Sequence, residues 1–416
     1  MQMKKVQLAI VVMTGLALFA NAADEKETKT GKAGYKSDAA FAGPASTTSQ
    51  LAEDDAIKDP AFRLPWLHDL FQPWFDAKSV LKEKSGLQLG MAYTALYQKA
   101  DGYGEAASGI LKLSGSWALL NPESGNTGSL VFSADARHRY TTRTPGEYDG
   151  LGAGYHGISG ALFSNAGYIL GDLNWQQRFN DGHTGIVAGR YDPSDFFDVL
   201  GYANPWTAFQ NVHILFNTSI ALPDWSTGIG AGHWLNDQWY IKGAVNDANG
   251  VATSTKFFED YGELYTTAEI GWSPSRAQRY LSNLHIMGWH VDEREDVGVE
   301  ESEGITIGAN VTLNEFLMGF VKAGWSDGSS PMYNKTLTVG AVYHVARRSD
   351  LLGIGMNWGE PSSAELRDQY TGELFYRLQF AQNLAITPSV QLIIDPALNP
   401  DEDEVWIIGA RARVTL

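Results

Sequence analysis

Residues 404–416 alternate in polarity with a period of two over their whole length. Trp406, Ile408, Ala410, Ala412, Val414 and Leu416 share one face, and Gly409, Arg411, Arg413 and Thr415 share the other. That period belongs to a strand whose two sides meet different surroundings. A small, filled interior would bury the arginines without partners at high cost, whereas a water-filled lumen keeps them hydrated. A membrane barrel has this arrangement, apolar toward lipid and polar toward the lumen. Other segments repeat it. In 128–140, Leu130, Phe132, Ala134 and Ala136 oppose Ser133, Asp135, Arg137 and Arg139. In 369–380, Tyr370, Leu374, Tyr376, Leu378 and Phe380 oppose Glu373, Arg377 and Gln379. In 303–313, Ile305, Ile307, Ala309, Val311 and Leu313 oppose Thr306, Gly308, Asn310 and Thr312. Glu269 points inward from 264–273, and Gln391 shares the inner face of 383–394 with Thr387 and Ser389. Trp272, Trp325 and Trp406 stand near strand ends on the apolar face, as an interfacial aromatic girdle would.

Strand-like segments continue along the chain at 86–98, 109–120, 128–140, 167–179, 184–192, 227–235, 237–247, 264–273, 280–293, 303–313, 316–327, 335–345, 350–359, 369–380, 383–394 and 404–416. A further candidate lies at 211–219. The connections decide between the two counts. With sixteen strands, short connections (at 180–182, Asn236, 314–315, 347–349 and Gln382) alternate with long ones (141–166, 193–226, 248–263, 294–302, 328–334, 360–368 and 395–403). With seventeen the alternation slips. Bacterial single-chain barrels have even strand numbers, short periplasmic turns and longer outer loops. The reading is therefore an all-β fold, a transmembrane antiparallel β-barrel of about sixteen strands spanning 86–416. Residues 193–226 form one long outer loop, long enough to fold into the mouth, and both termini lie on the periplasmic side.

The N-terminus fits export. Lys4 and Lys5 precede an apolar run from Val6 to Phe19, and Ala20-Asn21-Ala22 is a small-x-small cleavage pattern. The run of about 14 residues is shorter than the roughly 20 that a spanning helix needs. Residues 1–22 read as a signal peptide and 23–59 as a polar, mobile leader. Residues 60–85 read as a periplasmic aromatic segment, with a short amphipathic helix over 74–84. The chain has no cysteine, so an exported protein of this kind depends on its sheet and its packing. A net charge of −17 argues against nucleic acid as a partner.

No enzyme motif finds its required context. Residues 152–157 (GAGYHG) match G-x-G-x-x-G, but in a glycine-rich loop rather than between a strand and a helix. Asp192, Asp195 and Asp198 are spaced by three without the fuller pattern of a calcium loop. His285 and His290 do not form a zinc signature, and no G-x-S-x-G elbow is present. No cofactor or metal is expected. An outer-membrane hydrolase with a spatially assembled Ser–His pair stays open as a minor alternative, because such pairs need no sequence proximity.

Residues 175–198 (WQQRFNDGHTGIVAGRYDPSDFFD), 384–396 (LAITPSVQLIIDP) and 405–414 (VWIIGARARV) resemble the carbohydrate-selective porins of Gram-negative bacteria, the OprB type. The opening strand, Gly86 to Tyr97, is similar too. The resemblance covers roughly residues 74–416. It implies a sixteen-stranded barrel passing mono- or small oligosaccharides by facilitated diffusion, with outer-membrane lipid and the barrel-insertion machinery as partners. It also implies family-like wall positions for Arg190, Asp192, Glu373, Arg377, Gln391 and Arg411. The strand faces add Asp135, Arg137, Arg139, Glu269 and Arg413 as channel lining. A general or ion-selective porin has the same wall. The sequence leaves the sugar, the pore radius and the oligomeric state (monomer or trimer) open.

Overall fold

The computed structural model describes residues 39–121, 125–147, 152–254, 262–314, 316–345 and 349–416. The expected signal peptide, the first part of the expected leader and the turn at Arg347 and Arg348 lie outside the described residues. Sixteen strands form one closed sheet. They are β1 (Leu87–Ala100), β2 (Gly104–Leu120), β3 (Gly128–Arg139), β4 (Gly167–Phe179), β5 (Thr184–Tyr191), β6 (Ser226–Trp234), β7 (Trp239–Asp247) and β8 (Leu264–Trp272). Then follow β9 (Asn283–Val291), β10 (Ser302–Thr312), β11 (Leu317–Asp327), β12 (Tyr333–His344), β13 (Leu351–Pro361), β14 (Gln369–Ala381), β15 (Leu384–Ile394) and β16 (Glu404–Thr415). Each pairs antiparallel with its sequence neighbours, and β1 closes the ring on β16, with Ala95 opposite Ala412 and Tyr97 opposite Ala410. Closure leaves no strand edge unpaired, which is what a sheet in lipid requires.

All sixteen predicted strands are present, with ends shifted by a few residues. The rejected seventeenth, 211–219, holds a single helical turn, Val212–Leu215, capped by Asn211 Oδ1 accepting from the His213 amide at 3.0 Å. The β4–β5 turn runs through Asn180, Asp181 and Gly182 at φ of 51°, 53° and 82°. Three consecutive left-handed residues suit Asn, Asp and Gly and reverse the chain tightly. The outward wall is apolar: Ile354, Met356, Trp406 and Ile408 are all about half exposed in the isolated chain. No helix among the described residues is long and apolar enough to cross a membrane.

Two helices precede β1. Helix α1 (Thr47–Asp55) lies inside the barrel, and α2 (Pro65–Ser85) runs at its short-turn end. Helix α2 begins nine residues earlier than 74–84 predicts, because Pro65 supplies a preset first turn. Gly86 stops it in the left-handed conformation at φ 71°, its amide bonded to Lys82 O at 2.9 Å.

The lumen departs from the hydrated channel that the strand faces predict. Two segments fill much of it. One is the 193–226 connection, which folds inward, as its length allows. The other comprises residues 39–56, which the polar composition of the leader places outside. Ala39, Ala40, Phe41 and Ala42 are buried, with Phe41 in a cluster with Tyr191, Phe196, Phe197 and Tyr265. The two inserts touch directly: a Cβ on Gly43 would overlap the carbonyl oxygen of Asp195. The reason lies in composition. Residues 193–226 hold three aspartates and no Lys, Arg or Glu, and 39–45 read AAFAGPA. Such segments gain more by burying apolar surface against inward-facing Val, Phe and Met than by remaining in water.

Candidate functional site: the lumen and its two inserts

Strands β14, β15 and β16 bring three predicted residues onto one stretch of the long insert. Glu373 stands opposite Gln391 in the sheet, and Thr387 opposite Arg411. The Glu373 carboxylate accepts the amides of Gln210 and Asn211, each at 2.9 Å. Gln391 accepts from the Asn211 side chain at 2.8 Å and donates to Ser159 O at 2.8 Å. Arg411, 1% exposed, donates to the carbonyls of Pro205 and Ala208 at 2.7 and 2.8 Å. The wall charges thus complete the hydrogen bonds of an irregular backbone that has no sheet partner of its own.

The opposite wall grips residues 196–198 in the same way. Glu269 on β8 accepts the Asp198 amide at 2.8 Å and pairs with Lys242 Nζ at 2.9 Å, while Lys242 also donates to Phe196 O. Asp198 accepts from Thr306 at 2.8 Å and lies 3.1 Å from His285. Lys322 donates to Ile214 O and Leu215 O at 2.9 and 3.0 Å. Lys242 and Lys322 are inward wall charges beyond the expected lining residues, and Asp198 stands on the insert itself. An insert free of its own cations must take donors from elsewhere, and that is the signal that points to inward lysines.

Arg377 and Arg413 hold the other insert. Arg413 forms two parallel bonds with Asp54 at 2.7 and 2.8 Å, and Arg377 lies 3.3 Å from Glu53. Arg279 donates to Ala39 O and Ala40 O at 3.1 and 2.7 Å, and Thr47 donates to Asp172 at 2.7 Å. Asp135 pairs with Arg137 at 2.8 Å and lies 3.6 Å from Lys112. These cations face insert aromatics: Lys112 sits 5.2 Å from the Trp206 ring centre and Arg137 5.4 Å from that of Trp225.

Three predicted residues are placed differently from the rest. Arg190 is buried against the wall and a neighbouring loop, donating to Leu170 O and Val251 O, both at 2.9 Å. Asp192 lies just past β5 and caps the next turn by accepting the Ser194 amide at 2.8 Å. Burial, with the Asp224 carboxylate adding to it, pushes the Asp192 carboxyl up to about 7. Arg139 is exposed at the long-loop end of β3, near Thr142 O. The GAGYHG loop has no helix after it, so no helix N-terminus meets its glycines.

Between the inserts and the wall, a narrow cleft is lined by Asp54, Lys58, Trp206, Thr207, Arg377, Thr387, Arg413 and Thr415. Asp54 and Lys58 also border a pocket of about 820 Å³ at the short-turn end, beneath α2. Planar cation forks, a carboxylate, hydroxyls and an indole thus line one tight cleft of about 10 Å³. Forks and carboxylates bond hydroxyls, and an indole face packs against C–H groups.

The comparisons agree with this geometry. The chain is 21% identical over 406 residues to the porin AaxA of Chlamydia pneumoniae, covering 89% of each chain. The high-pH structure of Pseudomonas putida OprB superposes with a TM-score of 0.67 at 14% identity, covering 82% of this chain and 97% of that one. Its low-pH structure gives 0.51 at 14% identity, with 82% and 96% covered. Over residues 295–416, which contain β10 to β16, the chain matches the carbohydrate-selective porin family, OprB.

Proposed function

We propose that this protein is an outer-membrane porin of a Gram-negative bacterium that passes small carbohydrates, mono- or small oligosaccharides, by passive diffusion. The observation that carries this reading is the closed sixteen-stranded barrel with an apolar outer wall and an inner face that carries Asp135, Arg137, Glu373, Arg377, Arg411 and Arg413. The family match over 295–416 supports it. A sugar presents hydroxyls around its rim and a C–H face, and charged, hydroxyl and aromatic side chains of the inward wall are of the kinds that bind both. Movement follows the concentration gradient, and no step needs energy coupling. In this reading the strongly held parts of the inserts set the bore, and Glu373, Gln391 and Arg411 act by fixing 205–211 in place. Arg137, Asp135 and Glu269 position the insert from the other side.

Swelling of liposomes containing the purified protein tests the reading. Glucose and maltose are expected to enter faster than amino acids of similar size. Equal rates would remove sugar selectivity and leave a general porin. Strong discrimination by charge would favour an ion-selective one.

A further inference from the structure

Helix α2 carries an apolar face that turns away from the barrel. Gln72, Phe75, Ser79 and Lys82 border the pocket beneath the rim, so they define its inner side. At about 100° per residue, Trp66, Leu70, Trp74, Ala77 and Val80 fall on the opposite side. Trp66 and Leu70 are 65% and 63% exposed, Val80 46% and Trp74 39%. Two tryptophans and two large aliphatics on one exposed stripe are not the surface of a helix that lives in water.

Both ends of the helix are fastened to the outward, apolar side of the wall. Before it, the Phe62 ring lies 4.7 Å from that of Phe380, and the Phe62 amide donates to Phe380 O at 3.0 Å. At its end, the Trp117 indole donates to Ser85 O at 2.9 Å. Phe380 belongs to the outer face of β14, and Trp117 to that of β2. The helix therefore skirts the rim below β15, β16 and β1, and its exposed stripe continues the wall's apolar surface. Asp69, Asp76 and Glu83 occupy one flank, toward water.

We propose that α2 is a membrane-interface helix, its Trp66–Leu70–Trp74–Ala77 stripe lying in the headgroup and upper acyl region of the periplasmic leaflet. Indoles favour that zone, and helices with one apolar and one charged face lie in its plane. Phospholipid, rather than a second protein, covers the stripe. The inference rests on reading the chain as an outer-membrane barrel.

The absence of native cysteine allows single nitroxide labels in the full-length protein. Ala77→Cys tests the stripe, Asp76→Cys the flank, and Ile354→Cys on the outer wall serves as control. The labelled proteins are reconstituted in phosphatidylethanolamine–phosphatidylglycerol vesicles. Collisions with oxygen and with a water-soluble nickel chelate are then compared by power saturation. The expected result is several-fold preference for oxygen at positions 77 and 354, and for nickel at 76. Nickel access at 77 beside a lipid-like 354 overturns the inference. So does shielding of 77 from both reagents, which would mean a protein surface covers it. Nickel access at 354 would instead overturn the membrane-barrel reading itself.

Discussion

Arg411 shows how a wall residue acts in this lumen. Its guanidinium is consumed by two carbonyls of the insert, so its charge reaches solutes only through the backbone it fixes. Arg411→Ala would leave both carbonyls without their donor, a loss of roughly 1–3 kcal/mol for each buried acceptor left unsatisfied. The expected outcome is a larger, noisier single-channel conductance in planar bilayers; an unchanged trace would mean that 205–211 does not set the bore. Asp192 supplies a pH-dependent counterpart. Its carboxyl is raised from about 3.8 to about 7 by burial and Asp224, so the folded state favours the protonated form. The fold accordingly gains stability as pH falls through 7 toward 4 and loses it as pH rises. Asp192→Asn keeps the acceptor for Ser194 and removes the charge. It is expected to stabilise the protein by roughly 1 kcal/mol or more at pH 8 and by little at pH 5, on the scale of one pKa unit. Urea unfolding in detergent at the two pH values checks this. That Arg411, Glu373 and Gln391 face inward follows from a period of two. Their partners do not, because a strand pattern carries no information about what stands across a lumen.

Among the elements, the two inserts decide the bore. Helix α1 is anchored chiefly by Glu53 and Asp54, whose partners are on β14 and β16. Glu53→Gln with Asp54→Asn keeps the shape and removes both ion pairs. Conductance is expected to rise several-fold if the helix then leaves the lumen; conductance equal to the parent would mean that packing around Phe41 holds it. Gly324 marks where the longer insert presses on the wall, since a Cβ there would overlap the Ser219 hydroxyl. Gly324→Leu is expected to displace 217–219 and raise trypsin or chymotrypsin cleavage within 193–226, read on gels. The positions of the strands and the alternating connections were legible because turn residues and period-two faces are local signals. The inward folding of 39–56 was not, because polarity by itself describes a leader, and for 193–226 length gave entry into the mouth but not the wall residues that hold it. The missing cations of 193–226 and the Ala/Gly/Phe run of 39–45 were the available signs of burial.

For the molecule as a whole, a ring sealed by β1 against β16 has no edge from which to unravel. Unheated protein in SDS is expected to migrate faster than boiled protein. Replacing Ala95 and Tyr97 by Pro, against the Ala412 and Ala410 side of the seam, should abolish the fast band. A retained fast band would place the seam elsewhere. The distribution of the α1 anchors has a consequence for biogenesis. Asp54 and Arg413 are separated by 359 residues, and Glu53 and Arg377 by 324. The ion pairs of α1 thus form only with strands that emerge from the export channel last. Until β14 and β16 are in place, Glu53 and Asp54 lack their arginine partners, although Thr47 can already meet Asp172 on β4. The closing of these two ion pairs therefore reports that synthesis and ring closure are finished, and a C-terminally clipped chain would hold α1 less firmly against periplasmic proteases.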